Sequence, residues 1–158
     1  MLRFFIALLL IFGITYAETP EKKQIPIVIE ADTLNYSKKN NLLIYKGNVV
    51  VKKEDFILHS DILKIILDQK GDISRIIAIG NVRFKKGDRT GRSDKAEYFK
   101  DKNYIILTGN AQLQQNNNII EGDKIIYYLD TEKAEVIGQK KRVRTIFFPK
   151  EDKGEKKQ

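Results

Sequence analysis

Nucleophilic and metal chemistry call for side chains that this sequence almost lacks. His59 is its only histidine and it has no cysteine, so no catalytic triad and no thiolate or imidazole metal cluster can be assembled. Carboxylates remain, and they recur in a pattern. A small residue followed by aspartate stands at Ala31-Asp32, Ser60-Asp61, Ser93-Asp94 and Gly122-Asp123. Paired carboxylates can hydrolyse glycosides. A catalytic pair, however, has no reason to reappear once per repeat. Asp32, Asp61, Asp94 and Asp123 are therefore structural marks, and neither a catalytic residue nor a cofactor is expected. The other charged cluster, Lys85, Lys86, Arg89 and Arg92, could meet phosphate groups on an anionic ligand or be a solvated turn; both readings stay open.

The elements that carry these residues follow from a second mark. A Gly-Asn-aliphatic step occurs at Gly47-Asn48-Val49, Gly80-Asn81-Val82 and Gly109-Asn110-Ala111, with an echo at Gly138-Gln139. Each Gly precedes the next marked Asp by 14 residues (47 to 61, 80 to 94, 109 to 123). Each Asp precedes the next Gly by 15, except for 19 between Asp61 and Gly80. Fixed-period self-similarity marks a repeat architecture. Between the marks lie turn-forming clusters such as Lys39-Asn40-Asn41, Gln69 to Asp72, Lys100 to Asn103 and Asp130 to Lys133. Short apolar runs at this spacing, with no helical period, indicate an antiparallel meander. The fold class is all-β, built from four internal repeats.

Alternation assigns the faces. Leu43, Tyr45, Val49 and Val51 share the face of Gly47, as do Ile76, Ala78, Val82 and Phe84 around Gly80, and Ile105, Leu107, Ala111 and Leu113 around Gly109. That face is expected to be inward, with Gly47, Gly80 and Gly109 leaving room where strands bend. Around the small-Asp mark the inward parity changes, as with Leu58 and Phe56 before it and Leu63 and Ile65 after it. A bulge or corner does this, and the carboxylate is expected to bond nearby backbone N–H groups.

The 158 residues, 42% hydrophobic, suffice for one domain with its own core. Met1-Leu2-Arg3, an apolar run from Phe4 to Ile14 and the small-x-small Thr15-Tyr16-Ala17 read as a cleaved export signal over 1–17, ahead of a domain over 18–149 and a charged, disordered tail over 150–158. The net charge of +8 points to an anionic partner. Nucleic acid is not expected, because no stacking aromatics are interleaved with the basic residues.

Several stretches resemble the LptA (OstA-like) family of periplasmic lipopolysaccharide transport proteins. They are Ile27 to Asp32, Tyr45-Lys46-Gly47-Asn48-Val49, Leu107 to Gln115, Asn118 to Ile125 and Arg142 to Pro149. The resemblance spans about Pro26 to Pro149, and its motifs are locked in one register. It implies an open, twisted antiparallel β-jellyroll, V-shaped in section, with an apolar interior. It also implies a periplasmic carrier that binds the acyl chains and phosphates of lipopolysaccharide and passes it from an inner-membrane complex to an outer-membrane translocon along head-to-tail stacks. The sequence departs from the family in the compact stretch from Gly71 to Gly80, where longer members are expected to carry more loop.

On that reading Ile27, Ile29, Phe56, Phe84 and Tyr98 are candidates to line the groove, the alternative being plain core. Lys85, Lys86, Arg89 and Arg92 are candidates for phosphate. An unclosed sheet leaves its end strands unpaired, so Ile25 to Ala31 and Val143 to Phe148 are the expected edges for strand addition. An inner-membrane-anchored partner of the same fold, or an exported polysaccharide-binding or structural β protein, are the rival readings.

Overall fold

Runs of Ile, Val, Leu and Tyr that alternate with polar residues, punctuated by Asn, Asp and Gly, leave the backbone little choice but extended strands joined by tight turns. The computed structural model describes residues 24–151. The signal reading over 1–17 lies outside them, as does the tail beyond Glu151. Among the described residues ten strands form one antiparallel sheet: β1 (Val28–Glu30), β2 (Thr33–Ser37), β3 (Leu42–Lys53), β4 (Phe56–Leu67), β5 (Ile73–Lys86), β6 (Arg89–Phe99), β7 (Tyr104–Gln115), β8 (Asn118–Tyr128), β9 (Ala134–Ile137) and β10 (Arg144–Ile146). β3 to β8 pair consecutively. At one end of the sheet β1 and β2 both pair with β3, and at the other β9 and β10 both pair with β8. The all-β meander expected from the repeat is the one observed, and the four turn clusters named above all fall between strands.

Every long strand passes through a corner at its mark. The register of β3 on β4 jumps from Lys46↔Ile62 to Val49↔Ser60, and the same jump recurs between Ile79 and Val82 and between Thr108 and Ala111. The extra residue lies in the Gly-Asn strand, whereas the sequence pattern had suggested the small-Asp strand. Gly47 and Asn48 take φ of 84° and 46°, and Gly80-Asn81 and Gly109-Asn110 repeat this. Two successive left-handed residues bend the strand sharply while its inward parity is kept. On the partner strand the parity does change: Ser60 and Leu63 are both buried, and Asp61 is exposed.

The glycines turn out to face the aspartates rather than the core. A Cβ on Gly47, Gly80 or Gly109 would fall on the carboxylate of Asp32, Asp61 or Asp94 respectively. Each of those carboxylates accepts a hydrogen bond from the amide of Asn48, Asn81 or Asn110, at 3.0, 2.9 and 3.1 Å. The expected bond to backbone N–H groups is found only at the fourth mark, where Asp123 accepts from the N–H of Gln139, Lys140 and Lys141 at 2.6 to 2.8 Å. Those bonds, led by that of Lys141, hold the Asp123 carboxyl below its ordinary range. The small residue before each Asp is inward. Ser60 and Ser93 are buried there and donate to the carbonyls of Ile62 and Lys95, both at 3.0 Å.

The corners align across the sheet and divide it into two walls. One contains the ladder from β2 to β9, the other that from β1 to β10. The stretch from Gly71 to Gly80, which the resemblance marks as short of loop, is mostly strand. The turn before it is tied by the Asp68 carboxylate, which accepts from the N–H of Lys70 and Asp72 at 2.8 and 3.0 Å.

On the outer face of the first wall, Glu97 is held between Arg75 (3.0 Å) and Lys95, with its side chain only 12% exposed. Burial raises its pKa, but the hydrogen bonds and charges of Lys95 and Arg75 outweigh this and the carboxyl lies below its ordinary value. A lowered native pKa gives a stabilisation that is complete above the unfolded value of about 4.3 and fades as pH falls through the native one. Wild type is therefore expected to exceed Glu97→Gln in unfolding free energy at pH 7, with the gap closing below about pH 4. Denaturant titrations across pH check this, and a gap independent of pH would contradict it.

Candidate functional site

Among the described residues, eight buried apolar side chains stand beside the corner line. Val49, Val82 and Ala111 lie on one wall, and Leu63, Ala78, Ala96 and Leu107 on the other. Ile125 continues the second row on β8. One step further from the corner, burial is already incomplete. Val51, Leu58, Phe84 and Leu113 are half-buried on one wall, as are Leu43, Ile76, Tyr98 and Ile105 on the other, where Ile65 in mid-row stays buried. A closed sandwich buries its inner faces along their whole length. Burial that decays from one line toward both margins is the signature of two walls that meet at the corner and diverge from it. The interior is a wedge-shaped apolar trough.

Its two lips differ in chemistry. One is the cross-strand row Lys53–Phe56–Lys86–Arg89–Gln115–Asn118. The other margin is apolar and aromatic, with Leu67 and Ile73 lying beyond the row Tyr36–Leu43–Ile65–Ile76–Tyr98–Ile105–Tyr127. The Arg89 guanidinium reaches the Tyr127 hydroxyl at 3.5 Å. In a flat sheet those two positions would be roughly 30 Å apart at the rise of a strand. Their meeting shows that the walls fold back to face each other, and two of the longest side chains are needed to span the opening. The trough can thus bury hydrocarbon while presenting cations at one margin, which suits an amphipathic anion.

The profile of one family, described as LptA/(LptD N-terminal domain) LPS transport protein, matches residues 28–133, most of the two-walled sheet. The chain belongs to this family. It is 30% identical over 155 residues to the lipopolysaccharide export system protein LptA of Escherichia coli K12, an alignment covering 90% of the chain and 82% of that relative. It is 27% identical over 173 residues to the lipopolysaccharide export system protein LptH of Pseudomonas aeruginosa, covering 94% and 98%. The crystal structure of LptH, described as the LptA-homologous periplasmic component of a lipopolysaccharide transport device, superposes with a TM-score of 0.70 at 20% identity. That match covers 78% of this chain and 96% of LptH, and it establishes the LptA-like fold.

Within that fold the residues singled out from sequence separate clearly. Ile29, Phe56, Phe84 and Tyr98 are all on inward rows, Ile29 on β1 against Val51 and Tyr98 across the trough. Ile27 is not in a strand; it precedes β1 and is 44% exposed at the sheet edge. The basic quartet divides in two. Lys86 and Arg89 are on the inward lip, whereas Lys85 and Arg92 alternate to the outer face, Lys85 opposite Thr90 and Arg92 opposite Arg83. A four-residue cluster in a hairpin cannot serve one site, because side chains alternate.

Two features escaped the sequence reading. Lys53 joins the cationic lip, a position that the strand parity through Val49 and Val51 would have revealed. Gly91, at an inward position of β6, makes room for a ring: a Cβ there would overlap Phe84, which packs on it and lies 6.2 Å from Phe56. No local signal announces that contact.

Proposed function

We propose that this chain is a periplasmic carrier of lipopolysaccharide on its way to the outer membrane, holding acyl chains in the trough and phosphates at the lip of Lys86 and Arg89. The observation that carries the reading is the decay of burial away from the corner. It leaves the row of Val51, Leu58, Phe84 and Leu113 short of partners that an acyl chain would supply. Each methylene so buried contributes about 0.8 kcal/mol, so a few chains suffice without specific polar contacts. The relatives named above are export proteins, which supports a role in binding and transfer rather than in bond-making chemistry.

Hand-over needs a continuous path. Every large apolar side chain exposed among the described residues lies on the edge strands or beside them: Ile25, Ile27, Val28, Leu34 and Tyr36 at one end, Leu129, Ile137, Val143, Phe147 and Phe148 at the other. Exposed apolar edges with free N–H and C=O groups favour strand addition. Stacking of copies, and docking onto like-folded domains of the inner- and outer-membrane machinery, would join their troughs.

The test is site-specific photo-crosslinking to lipopolysaccharide. Probes at Phe84 and Leu113 are expected to label the lipid, and probes at Lys85 and Arg92 are not. Equal labelling from both faces would reject an internal trough. Removing both lip cations (Lys86→Ala with Arg89→Ala) should weaken binding of phosphorylated lipid A about tenfold or more, since hydrogen bonds to charged groups contribute roughly 1.5–3 kcal/mol. Binding of the dephosphorylated lipid should change little. Equal losses on both lipids would remove the phosphate from the reading.

A further inference from the structure

We infer that the outer face of the first wall is a second lipid-binding surface, one that lies flat on a bilayer carrying anionic headgroups. It is separate from the trough and does not depend on what the trough holds.

A sheet with one face on its core ordinarily turns polar residues outward. The second wall does so: its outer row Val50–His59–Arg83–Arg92–Gln112–Glu121 has one apolar member. The first wall does not. Its outer row Ile44–Lys64–Ile77–Glu97–Ile106–Ile126 is apolar at four of six positions, and the next row toward the corner adds Ile62 and Ile79. These isoleucines are half-buried by their neighbours in the sheet. Among the described residues every element belongs to that one sheet, so none is left to cover the face. Residues 18–23 and 152–158 contain no Ile, Leu, Val, Phe or Tyr that could do so. On the export reading the apolar run from Phe4 to Ile14 is removed. An apolar face of this extent, left open, marks an interaction surface.

Charge selects the occupant. The outer rows of this wall hold Lys46, Lys64, Arg75, Lys95 and Lys124 against Glu97 and Glu135. Both carboxylates are already neutralised, Glu97 by Arg75 and Lys95, Glu135 by Lys133 at 3.1 Å. Lys46, Lys64 and Lys124 form no ion pair among the described residues. Lys64 and Lys124 are half-buried, as long side chains are when their stems lie along apolar neighbours and their ammonium groups reach outward. Apolar area with spare positive charge is the complement of an anionic lipid surface. Two copies face to face would set lysine against lysine, which disfavours that pairing.

The margin of the wall agrees. Phe99, Tyr104 and Tyr128 stand in one outer row, with ring centroids 5.2 and 5.9 Å apart, and Arg75 lies over the Phe99 ring at 4.6 Å. Their planes are tilted by 50° and 73°, so they offer no flat platform for a sugar ring. Amphipathic rings with a cation beside them suit the headgroup level of a bilayer. Tyr98, Ile105 and Tyr127 occupy the inner side of the same strand ends, so the margin is apolar on both sides.

The chain has no tryptophan, so a single introduced indole reports its own surroundings. Vesicles of phosphatidylcholine with an equal part of phosphatidylglycerol should shift the emission of the Tyr104→Trp protein to the blue, and lipid brominated on its acyl chains should quench it. The Gln112→Trp protein, labelled on the outer face of the second wall, should show neither effect, and vesicles of phosphatidylcholine alone should bind far more weakly. Ile77→Asn with Ile106→Asn should weaken vesicle binding about tenfold. Lys64→Gln with Lys124→Gln should weaken it about fivefold for each cation removed, and this pair reports even where the isoleucine pair misfolds. Equal quenching from both walls would reduce the effect to adsorption of a basic protein and overturn the inference. So would quenching of Leu113→Trp, in the trough, without any at Tyr104→Trp, because lipid would then enter without docking. A Tyr104→Trp emission that moved with protein concentration alone would give the face to a second copy and overturn it as well.

Discussion

Leu107→Ala is expected to lower the unfolding free energy by about 2–5 kcal/mol, while Leu113→Ala on the same strand and face should cost only about 1 kcal/mol. Leu107 is 1% exposed beside the corner, where both walls close around it and a cavity would remain after truncation. Leu113 lies on the other side of the bend and further out, half-buried, with the opposite wall receding. Function should invert the ranking. Leu113→Ala removes acyl-chain contact and should weaken lipid binding, and a folded Leu107→Ala protein should bind nearly as wild type does. Chemical denaturation and a fluorescent-lipid titration on both variants check this. Equal destabilisation would mean that the walls close along their whole length.

Gly109→Val should destabilise by about 3 kcal/mol, combining left-handed strain of about 1–2 kcal/mol with loss of a hydrogen bond worth roughly 1. Gly109 has φ of 81°, and its missing side chain leaves the space that the Asp94 carboxylate fills while it bonds Asn110. Gly71 provides the contrast. Its φ of 86° is the same, but nothing lies within 4 Å of where a Cβ would be, so Gly71→Ala should cost only the strain, about 1 kcal/mol. The collision itself can be isolated by a double-mutant cycle. Gly109→Ala should cost less in an Asp94→Ala background than in wild type, because the carboxylate it strikes is gone. Additive costs would place the glycine requirement in the backbone alone.

These variants show where sequence reasoning reached and where it stopped. The strands and the inward rows follow from a two-residue period and from turn residues, both local properties of the chain. The corners announced themselves because Gly-Asn and small-Asp recur at fixed spacing, and repetition turns a weak motif into a strong one. The partners at each corner were another matter. Asp32 and Asn48 are 16 residues apart in sequence, and only the stacking of neighbouring strands shows that the carboxylate bonds that side chain and fills the space over Gly47.

The site divides along the same line. By itself the sequence determined that this is a repeat protein of β strands with one continuous apolar face, because alternation and turn chemistry are encoded residue by residue. Tertiary structure alone decided that the two walls diverge and that Arg89 reaches Tyr127 across the opening. Those facts depend on the angle at which the sheet folds over its corner. That angle comes from bends and packing summed over many strands, and no short stretch of sequence encodes it.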